Sequence, residues 1–234
     1  MATAKKSAPK RAAAVSTGVA TTFAAIPAAR AKQLFNWNRA LVLLHGIQAT
    51  IIWWISPTDA LVRFEGTYPV SKIVDGQFVG LDSAKELLFS FPLAYLVAAF
   101  FALSALAHFL VAYPFRKRYE SWLAREFNPM RWAEYALSST LMIVGIASLS
   151  FITDAGALIA IAVCNASMNL FGWSMEEANI GRKNVQWSHY IFGCIAGIAP
   201  WIALFTTVGL SLANWPTGIG PNGRDLEAFK PVLI

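Results

Sequence analysis

Five long apolar runs, at about residues 38–57, 86–114, 130–153, 155–176 and 187–213, recur along a chain of 234 residues. A helix needs about 20 residues to cross a hydrocarbon core about 30 Å thick, and each run meets that length. A lipid-exposed backbone must satisfy its own hydrogen bonds, so runs of this kind form helices. The composition agrees, being 56% hydrophobic and 14% charged, where soluble domains carry about 25% charge. The expectation is an all-α, polytopic transmembrane bundle over residues 36–213. Pro92, near the start of the second run, is read as a proline tolerated within a spanning helix. Residues 1–35 read as a disordered basic tail, and 214–234 as a loop followed by the start of a sixth helix.

The loops orient the spans. Lys5, Lys6, Lys10, Arg11, Arg30, Lys32 and Arg39 precede or open the first run with no acid among them, and Arg116, Lys117, Arg118, Arg125 and Arg131 outweigh Glu120 and Glu126 between the second and third. The loop after the first run is acidic on balance. By the positive-inside rule the amino terminus is cytoplasmic. The alternative of a cleaved signal peptide over residues 12–29 suffers from a shortage of Leu, Ile and Phe there. The net charge of +6 therefore sits at helix ends, where it sets topology, and does not suggest a nucleic-acid surface. Cys164 and Cys194 fall in apolar runs and read as small core hydrophobes; no metal-ligand spacing is present. Residues 61–80 contain the β-leaning pieces VRFEGTY and KIVDGQFV, with turn residues between, and read as an exposed hairpin. A lone hairpin is marginal in water, so it should lean on something, such as a second protomer.

Glu134 is the residue hardest to explain by packing. It opens the third run, and a charge inside a spanning helix costs a few kcal/mol or more, so such an acid ordinarily faces a partner, a cavity or a cofactor. At ~1.5 Å per residue His45 lies about 9 Å inside from Arg39, His108 about 9 Å inside from the 114–116 corner, and Glu134 roughly 5 Å inside from Arg131. Three titratable groups on three helices thus share one level. Each has a plainer explanation as well: a histidine can bond a backbone carbonyl, and Glu134 can snorkel or pair with Arg131.

Helical spacing adds neighbours. Ser138 and Met142 follow Glu134 on its own face, Ser104 lies one turn from His108, and Gln48 lies at i+3 from His45. Asn165, Met168 and Gly172 share a face of the fourth run. In the fifth, Gly193 and Gly197 permit close approach beside Pro200 and Trp201. Together these describe a slot with a carboxylate at one end and Met, Asn and Trp along its walls, suited to an elongated apolar cation.

The motifs HFLV (108–111), FRKRY (115–119), RWAEYALSSTLMIV (131–144), NASMNLFGW (165–173) and FGCIAGIAPW (192–201) resemble those of the heliorhodopsins, in the same order and over about two-thirds of the chain. The resemblance implies a seven-helix rhodopsin-like fold, a cytoplasmic amino terminus, a homodimer stabilised partly by the first outer loop, and all-trans retinal held as a protonated Schiff base. It assigns Glu134 as counterion, His45 and His108 to a polar network, Ser104 and Ser138 to the Schiff-base surroundings, and Met142, Asn165, Met168, Gly172, Pro200 and Trp201 to the chromophore pocket. Gln48 joins the network by its spacing from His45. An anion beside an iminium would raise the iminium pKa, as the assignment requires. The resemblance further implies a slow-cycling sensor or regulator and not a strong pump. The signalling partner is not implied.

One departure stands out. The family's retinal-linking lysine lies in its seventh helix, whereas the lysines here fall in tails, loops or helix ends. The expectation is therefore a fragment of a longer protein, or else a shortened homologue without the covalent link. A transporter would also place His and Glu in a membrane cavity but should show internal repeats, which are not evident. A scaffold acting through the hairpin would not need Glu134, His45 or His108. No HExxH, nucleophile elbow or phosphate loop points to an enzyme.

Overall fold

The computed structural model describes residues 23–215. Helix α1 spans Ala28–Ile55, the strands β1 and β2 span Leu61–Val74 and Gln77–Pro92, and the helices α2 to α6 span Leu93–Ala112, Arg116–Leu123, Pro129–Leu149, Ala155–Asn179 and Ser188–Ala213. The long helices pack in chain order, α1 on α2, α2 on α4, α4 on α5 and α5 on α6. Residues 28–35, expected in the tail, form the first turns of α1. The rest of that tail before residue 23, and the expected sixth helix start, lie outside the described residues.

Among the described residues four helices, α2, α4, α5 and α6, are long and apolar enough to cross a membrane. Helix α1 is long enough at 28 residues but falls short in apolarity, because His45 and Gln48 interrupt its apolar run and Asn38 and Arg39 open it. Among the described residues four helices thus qualify as candidate spans by length and composition, where the sequence suggested five.

The second span also starts later than expected. Residues 86–92 are strand, not helix, and pair with residues 61–66 of β1. Pro92 explains the boundary: a residue before proline is pushed toward extended backbone, so a helix beginning at Leu93 cannot propagate back through Phe91. Similar local chemistry sets other starts. Asn128 caps α4 by accepting from the Arg131 N–H at 3.2 Å, with Pro129 in the first turn, and Asp154 caps α5 by accepting from the Ala157 N–H at 2.9 Å.

The hairpin is longer than the 61–80 segment suggested. Asp75 and Gly76, at φ 51° and 76°, form its two-residue turn, since both central positions of such a turn need positive φ. Its tip is exposed, but its base is tied to the bundle. Val62 is fully buried against Leu96, Ile143, Ala147 and Leu158. The Glu65 N–H donates to the Thr153 carbonyl at 2.9 Å, the Thr153 hydroxyl donates to Glu65 Oε2 at 2.6 Å, and the Thr67 hydroxyl donates to Asp154 Oδ2 at 2.8 Å. The support expected for the hairpin is supplied at its base by the α4–α5 turn of its own chain. Of the two cysteines expected in the core, Cys164 is half-buried and Cys194 is exposed; both are free. A helix facing lipid has no need to turn a small apolar side chain inward.

Candidate functional site

Three helices place the site. Glu134 is six residues into α4, past the cap formed by Asn128, and the i+4 spacing brings Ser138 over the same face. Ser104 faces it from α2. Both hydroxyls donate to one carboxylate oxygen, Glu134 Oε1: Ser104 Oγ at 2.7 Å and Ser138 Oγ at 2.9 Å. Hydrogen bonds to an ionised acceptor are short and roughly twice as strong as neutral ones, so the carboxylate is held in one orientation. No cation lies within ion-pair distance of it among the described residues. Arg131, the partner that sequence spacing allowed, pairs instead with Glu176 on α5, whose other oxygen accepts from the Asn128 N–H at 2.8 Å.

Beside this carboxylate the two histidines meet. The rings of His45 on α1 and His108 on α2 stack with centroids 5.6 Å apart and planes 12° from parallel. His45 Nδ1 is 3.0 Å from Gln48 Oε1, and His108 Nδ1 is 2.8 Å from Asn38 Oδ1. Which nitrogen of each ring carries the proton sets whether it donates or accepts in these contacts. The Asn38 amide in turn donates to the Leu34 carbonyl at 2.8 Å, so this buried asparagine is satisfied on both sides.

A cavity of about 520 Å³ opens between α1, α2 and α4 and collects these groups: His45, Ser104, His108, Glu134, Ser138 and Met142 all line it. Phe100 and Val111 extend its apolar wall, while Asn38, Tyr119, Asn128 and Arg131 form a polar end. Burial pushes the Tyr119 phenol above its ordinary range, opposed by hydrogen bonds with Asn128 and Asn38. Among the described residues no lysine lines this cavity.

The remaining residues of the expected slot lie elsewhere. The Asn165 amide donates to Ser139 Oγ at 2.8 Å and to Thr140 Oγ1 at 3.0 Å, joining α5 to α4 behind the cavity wall that Ser139 helps to form. Asn169 extends the same seam to Ser139 at 3.2 Å. Gly172 lies under the Trp132 ring, and Met168 packs into the space left by Gly197 on α6. Pro200 is buried, whereas Trp201 is 46% exposed and stacks on Phe205. The single slot inferred from sequence is therefore two regions among the described residues. The reason is the packing order: α6 rests on α5, so its face does not reach the α1–α2–α4 cavity.

Asn38, Tyr119, Trp132 and Ser139 were not singled out from sequence. Asn38 had a legible signal, since it precedes His45 by seven residues and so shares its face. Trp132 had none, because its contact with Gly172 joins two helices. Its Nε1 is buried without a partner.

Comparison with known families gives one match. The heliorhodopsin family model covers residues 34–217. No curated protein matches the chain.

Proposed function

The chain belongs to the heliorhodopsin family, and from that premise we propose that it is a light-sensing retinal protein in which Glu134 is the counterion of a cationic all-trans retinal. It is a multi-pass membrane protein. One observation carries the counterion reading: a carboxylate held by Ser104 and Ser138 in a largely apolar cavity, with no ion-pair partner among the described residues. Glu134 is half-buried, and a carboxylate drawn partly out of water with no ion-pair partner among the described residues favours a positive group as the occupant.

Retinal, when bound, would supply visible absorption and a delocalised positive charge on an apolar body. The residues present suit that group in charge and in shape. Glu134 would face the charge, Ser104 and Ser138 would orient the carboxylate, and Phe100 and Met142 would flank the apolar part. His45 and His108, linked to Gln48 and Asn38, would accept or relay a proton beside the carboxylate. The covalent link is not supplied by the residues lining this cavity. Asn165, Met168, Gly172, Pro200 and Trp201 belong to this reading as supports of the α4–α5–α6 wall.

A slow sensor or regulator fits better than a pump or an enzyme. The polar groups of the cavity lie on α1, α2, α3 and the cap and first half of α4, while beyond Met142 the described residues Ile143, Val144, Ala147, Leu158, Ile161 and Leu204 form an apolar core. The amino terminus is cytoplasmic by the Lys/Arg balance. Pairing of two copies through the hairpin tip is supported by the exposure of Phe78 and Leu81.

The test is reconstitution of the full-length protein with all-trans retinal, followed by absorption spectroscopy. The expected result is a visible band that Glu134→Gln moves to longer wavelength, with a lower pKa for the chromophore's proton. An unmoved band and titration would remove Glu134 from this role.

A further inference from the structure

We propose that the outward face of α3, with the turn after it, is a binding site for the headgroup of an anionic phospholipid. Helix α3 joins two membrane-crossing helices, α2 and α4, so it lies at the level where a bilayer meets water. Three cations, Lys117, Arg118 and Arg125, are exposed there and form no ion pair among the described residues. Lys117, Ser121 and Arg125 follow at four-residue steps, which places them along one side. By contrast Arg116 is engaged, pairing with Glu120 at 3.0 Å and resting on the Phe35 ring at 4.4 Å.

The second observation is a groove of about 490 Å³ between α3 and residues 23–26. Phe23, Ile26 and Ala124 make one part of its lining apolar, and Lys117, Ser121 and Arg125 make the other part basic and hydrogen-bonding. Glu120, the acid in the lining, is already neutralised by Arg116. A soluble phosphate would use the cations but not the apolar wall; a lipid uses both. Trp122, beneath the Arg118 guanidinium at 5.1 Å, is the kind of amphipathic aromatic that settles at an interface. Basic residues close to an anionic leaflet are attracted to it within a screening length of the surface. The site requires that the chain sit in a bilayer, and it is independent of retinal and of Glu134.

The experiment uses the full chain in nanodiscs of phosphatidylcholine containing one-fifth phosphatidylglycerol. Spin-labelled phosphatidylglycerol and phosphatidylcholine report which lipid is immobilised at the protein. The expected result is a preference for phosphatidylglycerol that K117Q/R118Q/R125Q lowers by on the order of tenfold. R182Q/K183Q, which removes cations from the α5–α6 loop, should leave the preference unchanged. The charge-keeping K117R/R125K should retain it, which separates loss of charge from loss of folding. A preference that survives the triple glutamine variant, or that falls equally in R182Q/K183Q, would overturn the site. So would its displacement by millimolar inorganic phosphate, which would mark a soluble anion as the ligand.

Discussion

Ser104 on α2 donates its hydroxyl to Glu134 on α4 at 2.7 Å, and this bond joins two helices through the one acid that lines the cavity among the described residues. The same oxygen accepts from Ser138, one turn away on its own helix. The carboxylate is thus shared between a bond within α4 and a bond across helices, and the two should respond differently to mutation.

Ser104→Ala removes the cross-helix bond to a charged acceptor. The expected cost is about 1.5–3 kcal/mol, against less for Ser138→Ala, which leaves the α2–α4 tie intact. Thermal unfolding in detergent checks the order. Equal and negligible effects would mean that the bond does not hold the helices together.

His108→Phe should keep a ring opposite His45 while deleting the bond to Asn38 Oδ1. Asn38 is only 7% exposed, so the loss should cost about 1–3 kcal/mol although an aromatic ring is retained. His108→Gln, able to restore a donor, should recover part of it. Unfolding temperatures of the two variants, measured side by side, decide the matter.

Gly172→Ala should be severe and Gly197→Ala mild. A methyl at Gly172 would enter the flat, rigid Trp132 ring, while at Gly197 it meets Sδ and Cγ of Met168, an unbranched side chain that can change rotamer. Overpacking costs about 1–3 kcal/mol where neighbours cannot move. Stability measurements showing the reverse order would contradict the packing described between α4, α5 and α6.

Acid should loosen the hairpin's base. The Asp154 carboxyl is held below its usual value chiefly by the Ala157 N–H and then by the Thr67 hydroxyl, and Glu65 by the Thr153 hydroxyl and then by Arg63 and Lys85. Both shifts are downward, so their stabilisation is complete above the ordinary carboxylate range near pH 4 and is lost as pH falls through the lower folded values. The expected outcome is an unfolding temperature that is flat near neutrality and drops below about pH 4. The drop should shrink in T67A/T153A, and an unchanged acid limb in that variant would remove these contacts as its cause.

Much of this was legible along the chain. The α4, α5 and α6 spans followed from apolar length, and the shared level of His45, His108 and Glu134 followed from a fixed rise per residue. The stacked imidazoles and the Ser104–Glu134 bond agree with that level. The second span's start was not legible from apolarity, because residues 86–92 are as apolar as a helix would be. Only their pairing with β1 and the constraint at Pro92 made them strand.

What the sequence determined alone was periodic and local: that helices span a membrane, where capping residues start them, and which side chains share a face of one helix. These depend on residues a few positions apart, whose relative placement the helix geometry sets. Which faces meet was decided by tertiary packing. Arg131 could reach Glu134 by spacing, yet Glu176, 45 residues later, takes it and leaves the carboxylate to two hydroxyls. Trp201 shared the sequence pattern of the slot, yet α6 rests on α5 and points it elsewhere. Contacts between helices depend on the order and angle in which whole helices pack, and no single segment carries that information.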